Sequence, residues 1–405
     1  MIYVCDSIMG SGKSSAAIWH MNHTEGRYVY MTPYLSEVNR VVRQCADRNF
    51  QQPRGNQDRT GGKTRDFYRL LLAGENVAST HAMFGRIDPD MADTIRSFNY
   101  DLVLDEVYNV LQGTTDNAQD IEDAIKLGYI EVEDGWLKWI GDDYRGTAFE
   151  HMRSGIHHLK LMQAKNGDTM AVLFPPEIFE AFRDVYILTY MFDSSLMRCY
   201  FDMCGIKYQK VWPKKVDDHY ELCFEEQPVP EYMRYLFRHI HIVENDRIND
   251  VGAKRAALSA SWYAREGAHG EGVDRLRKDL RTFRRRFGCG DYKKFMWCCF
   301  KDYRDYVADK NTTYGFVPVG IRATNEYASR TDVAYLVNVF FNPFLKQAIV
   351  SNGVEPDEDG YALSEMIQWV WRSAIRNGRD INLYVPSVRM RGMFKKWLYS
   401  LVNNK

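Results

Sequence analysis

Residues near the start of the chain have the types and spacing that phosphate binding requires. They lie in "DSIMGSGKSS", residues 6 to 15. Gly10 and Gly12 would let the backbone approach a ligand closely, with successive backbone N–H groups directed at phosphate oxygens. Lys13 would reach the outer phosphates of a nucleotide, and Ser14 would bind Mg²⁺. The stretch therefore predicts a phosphate-binding loop, with a glycine-rich turn as the alternative.

This loop departs from the usual pattern at one position. Ser7 stands where that pattern has its first glycine. Because the serine side chain is small, we expect the turn to be kept. The predicted nucleotide contacts are Gly10, Ser11, Gly12, Lys13, Ser14 and Ser15.

Two adjacent acids end a second apolar run, "YDLVLDEVYN", at residues 100 to 109. The run Leu102–Leu104 is typical of a buried parallel strand, and open α/β sheets bind ligands at the carboxyl ends of such strands. Asp105 would hold Mg²⁺, and Glu106 would orient and deprotonate an attacking water. A strand followed by an acidic helix cap is the alternative.

Parallel strands, each followed by a helix, are the elements that would position these residues. The run "MIYVC" predicts a strand before the loop, and a helix is expected from about residue 13. Three further apolar runs predict strands that end in Thr32, Thr80 and Thr189. Because parallel strands present their carboxyl ends at one edge of a sheet, these residues would lie near one another.

A group of basic residues near the C-terminus could act on phosphate charge. In "LSEMIQWVWRSAIRNGRDINLYVPS", Gln368, Arg372 and Arg376 are spaced by four, which predicts that they share one face of a helix. Two guanidinium groups on one face can neutralise the charge that develops during phosphoryl transfer. A solvated basic helix face is the alternative.

A second basic segment, residues 273 to 294, combines arginines with an apolar stripe. Leu276, Leu280, Phe283 and Phe287 recur at three- and four-residue spacing, which predicts a helix whose stripe packs on a domain core. The arginines around the stripe would be free for nucleic-acid phosphates, unless this is only a solvated charged helix. They are Arg277, Arg281, Arg284 and Arg285.

The composition limits the classes of protein. A chain of 405 residues is long for one core and suits two domains. The net charge of -1 excludes a globally basic nucleic-acid binder, so nucleic-acid contacts would come from local patches. Eight cysteines without a CxxC pair, and no long apolar segment, favour a cytoplasmic protein without a membrane partner.

Five short motifs occur in an order that resembles the helicases of superfamily two, the DExx-box helicases. The similarity is greatest to those encoded by tailed bacteriophages. Gly-Ser-Gly-Lys-Ser (10–14) resembles motif I, Thr-Pro-Tyr (32–34) motif Ia, Ser-Thr-His (79–81) motif Ic, Asp-Glu-Val-Tyr (105–108) motif II and Leu-Thr-Tyr (188–190) motif III.

Three segments of the C-terminal half extend this resemblance. Residues 294–303 resemble motif IV, a strand leading into a helix, and residues 317–343 resemble motif V, with a strand ending at 322–325. Residues 363–387 resemble motif VI, although Trp371 replaces the family's glycine and the second arginine comes one residue late. The resemblance therefore leaves open which of the two arginines is the arginine finger.

The resemblance implies an α/β fold with two tandem RecA-like domains, each a parallel sheet flanked by helices. The first domain would span residues 1–215, with an insertion at about 117–172. A linker at 216–229 would lead to the second domain, 230–405.

The resemblance also implies an activity, with ATP and Mg²⁺ as cofactors. ATP would be hydrolysed between the two domains while the protein tracks along DNA or RNA. Glu106, Gln368, Arg372 and Arg376 would be the catalytic residues, and Thr189 would couple hydrolysis to movement. Few residues precede the loop, so an adenine-reading motif is missing and relaxed nucleotide specificity is expected.

The resemblance places single-stranded nucleic acid against backbone-contacting residues of both domains. Phage or host proteins are further expected partners. The nucleic-acid contacts would be Thr32, Arg40, Thr80, His81 and Thr324, together with the arginines of the basic helix.

Two other functions fit the same motor fold. One is a non-unwinding clamp that binds nucleic acid or protein, for example a factor directed against host defence. The other is a DNA-packaging ATPase, which would normally carry a nuclease domain with clustered acids. Residues 230–405 show no such cluster of acids in the sequence.

Overall fold

The computed structural model describes residues 1–55, 62–113, 118–133, 136–141, 159–164, 167–310, 312–320 and 326–403. The chain forms two compact units. The first unit comprises Met1–Ser7, Lys13–Glu225 and Phe341–Asp357. The second unit comprises Ile8–Gly12, Glu226–Phe340 and Glu358–Lys405.

The first unit contains a seven-stranded sheet and a separate five-stranded sheet. The seven-stranded sheet has the order β12-β11-β1-β10-β4-β2-β3, with all neighbours parallel except β11 and β12. The five-stranded sheet, of order β5-β9-β8-β7-β6, is antiparallel. In chain order the strands are β1 (Ile2–Asp6), β2 (Arg27–Thr32), β3 (Val77–Thr80), β4 (Tyr100–Asp105), β5 (Leu111–Gly113), β6 (Ile130–Glu133), β7 (Trp136–Trp139), β8 (Leu159–Ala164), β9 (Gly167–Leu173), β10 (Val185–Thr189), β11 (Gln209–Val216) and β12 (His219–Cys223).

The central strands of the first unit are apolar because helices cover both faces of the sheet. Every residue of β4 is buried, and Val29, Leu102 and Ile187 are fully buried on neighbouring strands. Over the described residues, the α-helices up to β12 are α1 (Lys13–His23), α2 (Leu35–Gln44), α3 (Lys63–Leu72), α4 (His81–Phe84), α5 (Pro89–Ser97), α6 (Ala118–Lys126), α7 (Pro176–Glu180) and α8 (Leu196–Cys204).

The second unit is built around a four-stranded parallel sheet. The strands β13 (Ile240–Ile242), β14 (Phe295–Cys298), β15 (Asp332–Tyr335) and β16 (Ile381–Tyr384) have the order β13-β16-β15-β14. The remaining α-helices in the described part of the chain are α9 (Glu231–Arg234), α10 (Asp246–Asn249), α11 (Ala260–Glu266), α12 (Glu271–Arg286), α13 (Arg304–Val307), α14 (Pro343–Ser351), α15 (Glu358–Val370) and α16 (Val388–Asn403). Of these, α14 belongs to the first unit.

The predicted apolar stripe of the basic helix is confirmed by α12. Leu276, Leu280 and Phe283 are buried in one cluster with Trp297 and Tyr384 of the second sheet. The ring of Phe283 stacks on that of Tyr384, with centroids 5.2 Å apart. The spacing of apolar residues along α12 therefore sets which face of the helix is buried.

Helix α14 returns to the first unit from a part of the sequence that we assigned to the second domain. Its cap explains where it begins, because Asn342 accepts hydrogen bonds from the N–H groups of Phe344 and Leu345. Its apolar face, Leu345, Ala348 and Ile349, is buried in the main core cluster of the first unit. The segment 341–357 thus lies outside the unit that the sequence suggested.

The predicted linker 216–229 is partly a strand. Residues His219–Cys223 form β12, which pairs antiparallel with Trp212–Val216 of β11. This hairpin adds a strand to one edge of the seven-stranded sheet.

A predicted strand before residue 322 is wrong over the described positions. Phe316 forms an isolated parallel bridge with Trp297 of β14, residues 317 and 318 have no regular secondary structure and residues 319 and 320 form a turn. Residues 321–325 lie outside the described residues. The strand of this segment is β15, which begins at Asp332. Asp332 is fully buried there, and its carboxylate accepts hydrogen bonds from the N–H of Cys289 and the side chain of Asn382.

The fold class predicted from the sequence is confirmed. Each of the two units has a parallel sheet flanked by helices, as tandem RecA-like domains do. Over its described residues, the segment predicted as an insertion, about 117–172, contains α6 and the strands β6 to β9, whereas β5 of the same antiparallel sheet lies before it. Within the described part of the chain, no helix is both long enough and apolar enough to cross a membrane.

Candidate functional site

Five polar residues, each the last residue of a parallel strand, meet at one edge of the seven-stranded sheet. The strand register pairs Asp6 with Thr189, and Thr32 with Thr80. Asp105 pairs with Leu188, the residue before Thr189. The parallel arrangement therefore brings these strand ends together, as the sequence predicted.

The glycine-rich loop between β1 and α1 uses its glycines for backbone geometry. Gly10 and Gly12 have φ angles of 78° and 96°, in the left-handed region that favours glycine. Ser7 instead continues the strand pairing, because its N–H donates to Thr189 O at 3.0 Å. Serine therefore fits where the usual pattern has a glycine.

Lys13, the first residue of α1, is held close to the strand ends. Its Nζ donates a hydrogen bond to Ser7 O. Burial lowers the pKa of Lys13, while the nearby carboxylates of Glu106 and Asp105 act in the opposite direction. An anion bound beside this ammonium group would compensate for the lost hydration.

Asp105 contacts residues of two other elements, α1 and β2. Its Oδ1 lies 3.5 Å from Ser14 Oγ, and its Oδ2 accepts a hydrogen bond from Tyr30 Oη at 3.1 Å. Burial, followed by the charge of Glu106, raises the pKa of Asp105 to about 6. The side-chain oxygens of Ser14 and Asp105 thus lie within hydrogen-bond distance of each other.

Glu106 follows directly, at a turn with unusual backbone geometry. Its φ of 68° is left-handed, which costs a non-glycine residue roughly 1–3 kcal/mol. Two hydrogen bonds fix this turn: Glu106 N–H donates to Leu188 O, and His81 Nε2 donates to Asp105 O, both at 2.9 Å. The turn directs the chain away from the sheet immediately after Asp105.

Asp6 connects β1 with the segment that follows β10. Its Oδ2 accepts a hydrogen bond from Phe192 N–H at 3.0 Å, beside the left-handed Met191. Burial raises the pKa of Asp6, although Lys210 lies 3.9 Å away. Thr189, at the end of β10, is buried, and its hydroxyl has no hydrogen-bond partner among the described residues.

The residues predicted to contact nucleic acid in the first unit differ in accessibility. Thr32 is fully buried, so the prediction that it contacts nucleic acid is wrong for this structure. Arg40 forms an ion pair with Glu37 at 2.8 Å, and Thr80 is half-buried. His81 is bonded to motif II, as described above. The remaining predicted contact, Thr324 in the C-terminal half of the chain, lies outside the described residues.

The arginines of α12 are also unequal. The guanidinium of Arg277 donates to Asp274 and to the carbonyl groups of Ala268 and Tyr306, so the expectation that it is free is wrong. The other three are less enclosed. Arg281 lies 3.3 Å from Asp309, Arg284 is half-buried and Arg285 is exposed.

The three residues of the predicted motif VI do not share one helix face. Helix α15 ends at Val370, so Gln368 lies in its last turn and Arg372 lies in the turn that follows. Arg376 lies in a separate 3₁₀ turn, Ala374–Asn377. Arg372 is only 7% exposed, whereas Arg376 is partly accessible.

One local and one long-range hydrogen bond explain why α15 stops. The Ser373 hydroxyl donates to Val370 O at 2.7 Å and so satisfies a carbonyl at the helix end. The N–H of Ala374 donates to Arg330 O at 2.8 Å, which takes the chain out of the helix. The four-residue spacing is therefore not continued in α-helical geometry.

Sequence reasoning missed Tyr30 and assigned no role to Asp6. A signal for Tyr30 exists in "YVYMT", because a buried tyrosine must bring its hydroxyl to a partner. Asp6 has the same signal as Asp105, namely a carboxylate at the end of an apolar strand. The partner of each residue, however, lies on another strand or loop.

Comparisons with known proteins find a matching family model and a weak likeness to a solved structure. A family described as "YonV C-terminal Rossmann-like domain" matches residues 234–398. The solved structure of S. tokodaii Xpd4 matches 98% of this chain and 94% of its own, at 10% identity and a TM-score of 0.43. At that TM-score the likeness is too weak to assign a function.

A curated relative matches along nearly the whole chain. The SPbeta prophage-derived uncharacterized protein YonV of Bacillus subtilis (strain 168) is 33% identical over 407 residues. The match covers 98% of this chain and 98% of the relative. Identity at this level and length shows common descent: the chain belongs to the YonV family.

Proposed function

We propose that this protein is an ATP-dependent nucleic-acid motor, a helicase or translocase similar to superfamily two. The observation that carries the proposal is the 3.5 Å separation of Ser14 Oγ and Asp105 Oδ1. These two oxygens come from residues 91 positions apart, and Lys13 and Glu106 lie beside them in the chain. The motif order in the sequence supports the same function.

The chemistry of these donors fits Mg²⁺. Hydroxyl and carboxylate oxygens are suitable ligands, and protein-bound Mg²⁺ usually keeps several waters and phosphate oxygens. Across the described ranges, no group of three or more His, Cys, Asp or Glu side chains could hold a metal ion. Ser14 and Asp105 would therefore hold the ion together with the nucleotide, and the ion would neutralise phosphate charge.

The protein residues would divide the remaining work. Backbone N–H groups at the start of α1 would bind phosphate oxygens, and Lys13 would contact the outer phosphates. Glu106 would orient a water molecule and accept its proton. These roles need acidic and basic groups at one place, and the half-buried Lys13 and the buried Asp105 both lie at this edge of the sheet.

Nucleic acid is the proposed track. The resemblance supports this assignment, and Arg285 on α12 is an exposed cationic residue that a phosphate could reach. The burial of Thr32 and the internal bonds of Arg277 reduce the set that we expected. Binding of nucleic acid is proposed to stimulate ATP hydrolysis.

The deciding experiment compares ATP hydrolysis without nucleic acid and with single- or double-stranded DNA or RNA. The variants are Lys13→Ala and, as a matched control, Lys126→Ala, whose side chain is 67% exposed. We expect stimulated hydrolysis in the wild type and in the control, and loss of nucleotide binding in Lys13→Ala. Wild-type turnover in Lys13→Ala, or no turnover of the wild type with any nucleic acid, would contradict the proposal.

A further inference from the structure

His81 contacts the candidate active site instead of pointing only to solvent. It is the first residue of α4, which follows directly after β3. Its Nε2 lies 2.9 Å from the backbone oxygen of Asp105. Because a carbonyl oxygen can only accept, the ring nitrogen must be the donor of this bond.

The accepting carbonyl belongs to the turn that sets the position of Glu106. At Glu106 the backbone becomes left-handed, with φ of 68°, and its N–H is used by Leu188 O. The His81 bond therefore acts on the peptide group that joins Asp105 to Glu106. A shift of this peptide would move the Glu106 side chain relative to the oxygens of Ser14 and Asp105.

Packing joins α4 to the residues that follow Glu106. The ring of Tyr108 meets the rings of His81 and Phe84 edge-on, with centroids 5.6 Å and 5.1 Å apart. Tyr108 Oη also fills the space beside Gly85, where an added Cβ would lie only 2.3 Å from it. Both ends of α4 are thus in contact with the segment that carries Glu106.

The same short helix is accessible from outside. Ala82 within α4 is exposed, as is Arg86 two residues beyond its end, and Thr80 is half-buried next to His81. This surface includes the motif for which the resemblance implies contact with nucleic acid. One element therefore combines an accessible face with a hydrogen bond to the backbone of motif II.

We propose that His81 is a positioning residue, through which a nucleic acid bound at α4 fixes Glu106 for hydrolysis. This inference rests on the proposed function. It differs from a role as a phosphate contact, because His81 would act on the rate of the chemical step and not on the affinity for nucleic acid. The two roles have different kinetic signatures.

The test uses the full chain with His81→Ala, His81→Gln and His81→Asn, and His23→Ala as the control, since His23 is exposed on α1. Three quantities are measured with the oligonucleotide that best stimulates the wild type. They are kcat at saturating oligonucleotide, the oligonucleotide concentration that gives half-maximal stimulation, and the Kd of a fluorescent ATP analogue.

We expect His81→Ala to lower kcat by about 10- to 100-fold, since misplacing a catalytic group by about 1 Å can cost about 100-fold. The other two quantities should stay within about twofold of the wild-type values. Gln can bring an N–H to nearly the position of Nε2, so His81→Gln should recover much of kcat. Asn is one carbon shorter and should not.

Three results would overturn the inference. One is a normal kcat in His81→Ala with a raised half-maximal oligonucleotide concentration, which is the signature of a phosphate contact. Another is failure of His81→Gln to exceed His81→Asn. The third is unchanged kinetics in all variants, which would leave the proposed function intact.

Two further outcomes are also decided by this design. If His81→Ala does not fold, the comparison of Gln with Asn gives the answer by itself. Absence of wild-type turnover with any nucleic acid would instead remove the proposed function, and the inference with it.

Discussion

Tyr30 Oη donates a hydrogen bond to Asp105 Oδ2 at 3.1 Å, across neighbouring strands of the seven-stranded sheet. The other carboxylate oxygen of Asp105 lies 3.5 Å from the Ser14 hydroxyl. The Asp105 carboxylate thus lies between Tyr30, which would orient it, and Ser14, which would bind the same metal ion. Partners of this kind typically contribute to metal affinity although they do not touch the metal.

The first prediction concerns this bond. Tyr30→Phe removes the donor and leaves the ring in place, so Asp105 loses one restraint on its orientation. We expect the Mg²⁺ concentration for half-maximal ATP hydrolysis to rise about 10-fold, with a smaller change in kcat at saturating Mg²⁺. Tyr28→Phe, on the same strand with its hydroxyl bonded to Thr24, is the matched control. An unchanged Mg²⁺ dependence would show that Tyr30 does not orient the carboxylate.

The second prediction separates binding from hydrolysis. Glu106→Gln keeps the shape of the side chain but removes its ability to accept a proton. We expect nucleotide binding within a few-fold of wild type and a fall in kcat of about 100- to 10,000-fold. Binding is measured with a fluorescent ATP analogue and turnover by phosphate release. A kcat close to wild type would mean that another group accepts the proton.

The third prediction concerns Arg372 and Arg376, because the resemblance leaves open which of them is the arginine finger. Arg376 is partly accessible and Arg372 is buried, so their substitution should have different side effects. We expect Arg376→Ala to lower kcat by at least about 100-fold, with little effect on nucleotide affinity or on Tm. Arg372→Ala should also lower Tm, because it removes a buried side chain.

Arg379→Ala is the control for this pair, since Arg379 is exposed two residues beyond the 3₁₀ turn. If Arg376→Ala behaves like this control and Arg372→Ala loses turnover at an unchanged Tm, Arg372 is the residue that acts in hydrolysis. Full activity in both variants would show that neither arginine acts in hydrolysis, contrary to what the resemblance to motif VI implies.

The fourth prediction concerns the pH dependence of stability. His20 on α1 is half-buried against Tyr186, with ring centroids 4.8 Å apart, and desolvation lowers its pKa. The unfolded chain, with a histidine pKa of about 6.5, therefore binds a proton more readily than the folded protein. Burial of the neutral His20 ring therefore contributes fully to the free energy of unfolding above about pH 6.5. This contribution is lost as the pH falls through the pKa of His20 in the folded protein.

Urea denaturation at about pH 7.5 and about pH 5.5 tests this prediction in the wild type and in His20→Asn. The comparison cancels the titration of groups common to both proteins. We expect the wild type to lose more stability on acidification than the variant does. An equal loss in the two proteins would show that His20 does not contribute to the pH dependence.

The fifth prediction tests the placement of α14. Ile349 is fully buried in the core cluster of the first unit, although it lies far along the chain from most of that unit. Ile349→Ala should lower the free energy of unfolding by about 2–5 kcal/mol. Val350→Ala is the matched control, because Val350 is 49% exposed. Similar unfolding curves for the two variants would place α14 elsewhere.

Patterns repeated within short stretches made much of the first unit predictable. β1, β4 and β10 contain the apolar runs at residues 2–5, 102–104 and 185–188, each followed by a polar residue, and the strand-loop-helix order around Lys13 follows from a local motif. The meeting of Asp6, Asp105 and Thr189 at one edge then follows from parallel pairing alone. The same periodicity predicted the buried face of α12.

Features that depend on distant partners were missed or wrong. The spacing of Gln368, Arg372 and Arg376 suggested one helix, but Ser373 and the bond from Ala374 N–H to Arg330 O end it. Likewise, nothing near residue 343 in the sequence indicates that α14 packs in the core of the first unit.

The sequence by itself determined the α/β class, the parallel strands and the identity of Lys13, Ser14, Asp105 and Glu106 as the central candidates. It could do so because backbone periodicity and turn chemistry are local properties of the chain. Only the tertiary structure decided that Tyr30 orients Asp105 and that His81 is bonded to motif II. Those contacts join residues 75 and 24 positions apart. They exist only because β4, β2 and β3 lie side by side in that order in the folded sheet, which brings the residues at and just after their carboxyl ends within hydrogen-bond distance.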